Sequence, residues 1–337
     1  HIVCMNNPLL DFSGLPLFDR ISPADVNPAI TTLLAQADEA LTQVTREDFP
    51  ADWTKISQVL DVATEKLSRA WGSVSHLQSV ADTPELRAAY NAELPRITEF
   101  WTRLGADEAL YAKYKAIDPN KLNQEQQHAR VLALRNFVLS GAELTGADKE
   151  RFAAIQERQA EISQLFSEHV LDATDAWSLL INDEDTAGIP SDVLQAAQAA
   201  ALGDGHTGYK LTLKMPCYLP VMQYAENRSL RERMYRASST RASEFGPAEL
   251  DNTPLIQRLL QLRRELAQLL DMDSYADLSL VAKMADKPSQ VIDFLEDLAS
   301  KAMPFGRADM AELTAFAKTE LGLHTLQSWD VAWASEK

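Results

Sequence analysis

Cysteine is almost missing: Cys4 and Cys217 are the only two among 337 residues. Two thiols cannot build a disulfide framework, so apolar burial must hold the fold, and a reducing compartment suits it. Glycine is scarce as well, 12 residues where the average chain carries about 7%. No uncharged apolar run approaches the roughly 20 residues of a membrane span, and no stretch has the layout of a signal peptide. Positive charge is short, 32 Lys and Arg against 49 Asp and Glu, for a net charge of −17. Such a surface repels nucleic acid and favours cationic ligands. These shortages predict a cytoplasmic protein with neither a nucleic acid nor a membrane partner.

What is abundant is the vocabulary of helices: Ala, Leu, Glu, Gln and Arg. The chain is 46% hydrophobic, enough for a sizeable core. His1 to Cys4 precede a Met, and residues 1–5 read as a cloning remnant outside the fold. Asn27 is a plausible first N-cap with Pro28 behind it, followed by an apolar face through Ile30, Leu33, Leu34, Ala37, Leu41 and Val44. Asp52 caps a stripe from Ile56 to Leu77, and Thr83 with Pro84 opens a helix that Pro95 should break or kink. Asn123 to Gly141 and a long segment from Asp148 follow. The pattern then changes, because 177–181 and 209–215 are short and strand-like, the second with apolar Tyr209, Leu211, Leu213 and Met215 alternating with polar residues, on either side of a helix from Ser191 to Leu202. Helices resume after "PCYLPVM", with caps at Asn227 and Thr253, then "KPSQVIDFLEDLASKAM" and "FGRADMAELTAFAKTELG" as two segments. The predicted class is all-α, mostly long antiparallel helices, with a small two-stranded β element near residues 177–215. The expected regions are 6–175, helical; 176–225, the β-containing excursion; and 226–337, helical again.

Few residues point to chemistry. "GDGHTG", Gly203 to Gly208, matches Gly-x-Gly-x-x-Gly, but it follows a helix and precedes a strand, the reverse of a dinucleotide fingerprint, and reads as a loop. His1, His76, His128, His169, His206 and His324 are too far apart in sequence to put two imidazoles on one helical turn. Ser73 and Ser75 flank His76 without the geometry of a nucleophile and its base. No catalytic or metal residue is assigned, and no substrate-binding residue is identified. One basic cluster stands out: Arg228, Arg231, Arg233, Arg236 and Arg241. It reads as a solvated face paired with acidic neighbours, or more sharply as an anchor for an interdomain or peptide contact. Tyr218, Tyr224 and Tyr235 could line a cleft, with packing the plainer role.

"VLDATDAW" (170–177), "YLPVMQYAENRSLRERMYRASSTRAS" (218–243) and "LRRELAQLL" (262–270) resemble the thimet-oligopeptidase family of zinc peptidases. The closing "WDVAWASEK" resembles it too, but carries Trp333 and Ala334 where the family has two tyrosines. The resemblance implies a helical molecule whose two halves flank a deep channel admitting short peptides. It implies zinc in the parent protein, held by a His-Glu-x-x-His helix that has no counterpart here, so no zinc is expected in this chain. The expected partners are then short peptide substrates and the C-terminal catalytic half of the same polypeptide. This chain would be the N-terminal half, a channel wall inactive by itself. Ser328 to Lys337 starts a helix with no Gly or Pro to end it, which fits a chain cut near its parent's midpoint. An exposed apolar patch containing Trp329 and Trp333 is the structural expectation. The competing readings are a non-catalytic helical peptide-binding or scaffold module and, within the family, a dipeptidyl carboxypeptidase.

Overall fold

A computed structural model describes residues 6–337. Cys4 and the proposed remnant 1–5 lie outside the described residues. The fold is all-α apart from one two-stranded antiparallel sheet. By contact it divides into two compact units, residues up to Ile162 with Leu262–Leu278, and Ser163–Gln261 with Ser279–Lys337.

Helix starts follow side chains that accept the orphaned N–H groups of a first turn. Asp52 accepts from the Lys55 N–H at 2.9 Å, Thr83 from Leu86 at 3.1 Å, Asn123 from Gln126 at 2.8 Å and Asn227 from Leu230 at 3.1 Å. The first helix departs from expectation. α1 (Pro23–Val44) begins at Ser22, where Ser22 and Asp25 form a reciprocal capping box and Pro23 takes the first position. Pro28 therefore lies inside the helix. Asn27, freed from capping, donates from Nδ2 to Oε1 of the buried Glu93 at 2.6 Å.

In the first unit, α1 packs on α3 (Val62–Val80) and α4 (Pro84–Gly105). One cluster gathers Val26, Ile30, Leu33, Leu67, Val74 and Phe100. The far end of α1 supplies Leu41 and Val44 to a second cluster with Ile56, Leu60, Leu110 and Phe137. Leu110 comes from α5 (Glu108–Ala116) and Phe137 from α6 (Gln124–Leu139). Between α2 (Trp53–Ile56) and α3, Ser57–Asp61 forms a π turn that apolar periodicity does not announce. α4 runs on through Pro95, so the expected break is absent. α7 (Gly146–Ala176) buries Phe152, Ile155 and Ile162, while Phe166 on the same stripe is 38% exposed.

In the second unit, β1 (Ser178–Ile181) and β2 (Tyr209–Thr212) pair with Leu179 opposite Leu211 and Ile181 opposite Tyr209. α8 (Ser191–Gly203) joins them and packs on β2. The second strand ends three residues earlier than its alternation suggests. Met215 opens α9 (Met215–Tyr224), because Pro216 fits a first turn whose N–H groups have no intrahelical partner. α10 (Arg228–Ser239) comes next; α11 (Thr253–Leu269) and α12 (Tyr275–Leu280) then pass through Leu262–Leu278, which belongs to the first unit, and α13 (Pro288–Leu321) lies wholly in the second. α13 is one helix rather than the two expected segments, and it passes through Pro304. The carbonyl that Pro304 deprives of its helical partner belongs to Ser300, an exposed residue, so it is not buried without a partner. α14 (Ser328–Glu336) is capped by Gln327 rather than Ser328, through a box with Asp330.

Backbone geometry demands glycine at two joins in this unit. Gly188 has φ +84° and Gly208 φ +94°. A Cβ at Gly188 would collide with the Tyr224 carbonyl oxygen, and one at Gly208 would lie 2.6 Å from the Ile181 carbonyl oxygen. Gly188→Ala is expected to cost about 1–3 kcal/mol in urea unfolding. Gly14→Ala, with no atom within 4 Å of the added carbon, should change it by less than about 0.5 kcal/mol.

Candidate functional site

The basic cluster of α10 resolves into separate jobs. Positions 228 and 231 are one turn apart and reach the same carboxylate on α14. Arg228 donates from Nη2 to Asp330 Oδ2 at 2.6 Å and from Nε to Oδ1 at 3.0 Å. Arg231 donates from Nη2 to Asp330 Oδ1 at 3.0 Å, from Nε to the Trp329 carbonyl at 3.0 Å and from Nη1 to the Ala225 carbonyl at 2.6 Å. Its guanidinium carbon lies 4.2 Å from the ring centre of Trp333. Arg231 and Asp330 are both completely buried. Asp330 also accepts the Gln327 N–H at 2.9 Å, so one carboxylate caps α14 and clamps it to α10.

The electrostatics follow from that geometry. Burial pushes the Asp330 carboxyl up, but hydrogen bonds from Arg228, the Gln327 backbone and Arg231 outweigh it and hold the group below its ordinary value. Burial pulls the Arg231 guanidinium down, and Asp330 opposes that pull. The remaining arginines are ordinary by comparison. Arg233 is exposed, Arg236 pairs with Glu232 at 3.0 Å, and Arg241 donates to Thr174 Oγ1 at 2.8 Å. The solvated-face reading therefore fits Arg233 and Arg236, while Arg228 and Arg231 anchor a contact inside one unit.

The other candidate residues do not converge. Tyr218 and Tyr235 pack against the cluster around Val221 and Met234, while Tyr224 is 39% exposed with its hydroxyl 3.4 Å from Glu336. Ser73 donates to the Arg69 carbonyl at 3.0 Å, and His76 meets Phe18 edge-on, so neither forms a nucleophile–base pair. His169 Nδ1 lies 2.7 Å from Asn252 Oδ1. Asn252 gives its own amide hydrogen to the Phe166 carbonyl, which fixes Oδ1 as the acceptor and His169 as the donor. His128, His206 and His324 are exposed. The Cys217 thiol is half-buried, and burial pushes its pKa up. "GDGHTG" is the turn from α8 into β2, with Gly205 and Gly208 at positive φ. Among the described residues no three His, Cys, Asp or Glu side chains converge to hold a metal. The described side chains do not fit a zinc ion.

The expected apolar patch is elsewhere. Trp333 is only 7% exposed and Trp329 is half-buried. Their neighbour α13 instead exposes Phe305 at 74% and Phe294 at 64%. A cleft of about 600 Å³ lies between α13 and α14, lined among others by Leu313, Phe316, Val331 and Lys337.

Comparison with known proteins defines the class first. Residues 30–149 match the pattern described as "Neurolysin/Thimet oligopeptidase, N-terminal domain", and residues 221–337 match "Peptidase family M3". The chain belongs to peptidase family M3, the thimet-oligopeptidase type. It is 45% identical over 340 residues to oligopeptidase A of Salmonella typhimurium and 44% identical to that of Escherichia coli. Both alignments cover 99% of this chain and 50% of the relative. It is 28% identical over 345 residues to a dipeptidyl carboxypeptidase of Salmonella typhimurium, with 98% of this chain and 50% of the relative covered. The chain thus spans about half the length of the curated relatives it matches. No helix among the described residues is long and apolar enough to cross a membrane.

Asp330→Asn leaves the buried Arg231 cation without its counter-charge, and it should cost about 3–5 kcal/mol in urea unfolding. The pH dependence has a definite sign. A carboxyl depressed on folding contributes stability above its unfolded value, about 3.9, and that contribution is lost as pH falls through the lower folded value. Urea unfolding from pH 7 down to 3 should therefore show a steeper acid loss in the native sequence than in Asp330→Asn.

Proposed function

We propose that the parent protein is a cytoplasmic zinc metallopeptidase that hydrolyses short peptides, and that this chain forms a wall of its substrate channel. The 45% identity to Salmonella oligopeptidase A along 99% of the chain carries this reading. The alignment runs through both compact units, so the likeness is not confined to one motif. In this reading the zinc ligands and the bond-breaking groups belong to the part of the parent that the relatives have and this chain does not. This chain supplies access: a helical wall excludes folded substrates, which are tens of ångströms across. The acidic surface, with a net charge of −17, favours peptides that carry positive charge.

The decisive test uses this chain with added zinc and an internally quenched fluorescent peptide. No hydrolysis above buffer is expected. Turnover that scales with protein and survives repurification would place the catalytic groups in this chain and end the proposal. The likeness to a dipeptidyl carboxypeptidase supports a second reading of the parent, release of dipeptides from the carboxyl end. Mass spectrometry of products from the intact parent separates the two: internal cleavage is expected, and a dipeptide ladder would favour the alternative. A non-catalytic peptide-binding or scaffold module predicts no cleavage by that intact parent.

A further inference from the structure

α13 is the least buried long element of the second unit: of its 34 residues only Ala317 is buried. Its exposed side chains are nonetheless apolar on one side. Val291, Leu295, Leu298, Ala302 and Phe305 keep a 4-3-4-3 spacing, the repeat by which one helix packs along another. Leu295 is 54%, Leu298 52% and Phe305 74% exposed. Ile292, at 54%, and Phe294, at 64%, widen the stripe on both sides beyond a two-helix seam. Beyond Phe305 the next positions of the repeat are Asp309 and Glu312, which end the apolar run and line the cleft beside α14 together with Leu313 and Phe316. The opposite face carries Asp293, Glu296 and Asp297.

Uncovered apolar surface of this extent marks an interaction site. We propose that the apolar face of α13 is where the rest of the parent polypeptide docks, as a layer of amphipathic helices. This rests on the reading that the parent is a longer peptidase. The heptad-like spacing selects a helical occupant over an extended one. The chain's 50% coverage of its relatives supplies the length of polypeptide needed. A lipid surface is the weaker match, because membrane-lying helices carry Lys and Arg on the polar face. α13 has six acidic residues (Asp293, Glu296, Asp297, Asp309, Glu312, Glu320) against three basic ones (Lys301, Arg307, Lys318).

The test co-produces this chain with the portion of Salmonella oligopeptidase A that it does not match. Backbone hydrogen exchange across 291–310 and cleavage of the quenched peptide are both read. A co-purifying complex with exchange slowed at least about tenfold in α13 is expected. The paired change Leu298→Glu with Phe305→Glu should abolish it, while Leu15→Glu, at a site 87% exposed elsewhere, should not. A complex that cleaves peptide with α13 exchange unaltered overturns this inference and leaves the functional reading standing. Slowed exchange only in a self-associated form of this chain, detected by light scattering, makes a second copy the occupant and overturns it as well. Absence of any complex or cleavage, with α13 exchange fast throughout, removes both.

Discussion

The carboxylate of Asp330 is the constraint on which the last third of the chain depends. Two guanidinium groups from α10 and the backbone N–H of Gln327 converge on it. A buried ion pair is costly unless its remaining donors and acceptors are satisfied. Here Arg231 also reaches two carbonyls of the turn before α10 and the Trp329 carbonyl, so the cost of desolvation is offset by several charge-assisted bonds. The arrangement gives α14 one register against α10. Slipping α14 by a residue would move Asp330 off both arginines and Trp333 off the guanidinium face.

Much of the architecture is legible in the sequence because its causes are local. The caps at Asp52, Thr83, Asn123 and Asn227 are side chains acting within three residues, and the second strand announces itself by period-two alternation. The departures share a cause too. Pro28, Pro95 and Pro304 each suggest a boundary, and each lies inside a helix. The capping box at Ser22 outweighs the Asn27–Pro28 pair, and long flanking turns carry the lost hydrogen bond at the other two. The π turn has no local signature at all.

The site is less legible than the fold. Five arginines in and just beyond one helix can be seen, but not that two of them find a partner about 100 residues later in Asp330. Burial of a charge is set by distant packing and leaves no mark on nearby spacing. The same limit misplaces the apolar patch. Trp329 and Trp333 have no covering partner nearby in the sequence, yet Arg236 and Arg231 lie against their rings. The uncovered surface lies instead on α13, where the sequence pattern is amphipathic and Leu295, Leu298 and Phe305 are each more than half exposed.

The π turn at Ser57–Asp61 has a consequence for how this chain tolerates change. A π turn accommodates one residue more than the α-helix needs, without rotating the helix beyond it. Loss of a single codon there would tighten the ring to an ordinary one and leave Leu67, Ala70 and Val74 facing α1 as before. The segment between Asp52 and Val80 thus holds a spare position, a place where the gene can shorten while the core keeps its phase.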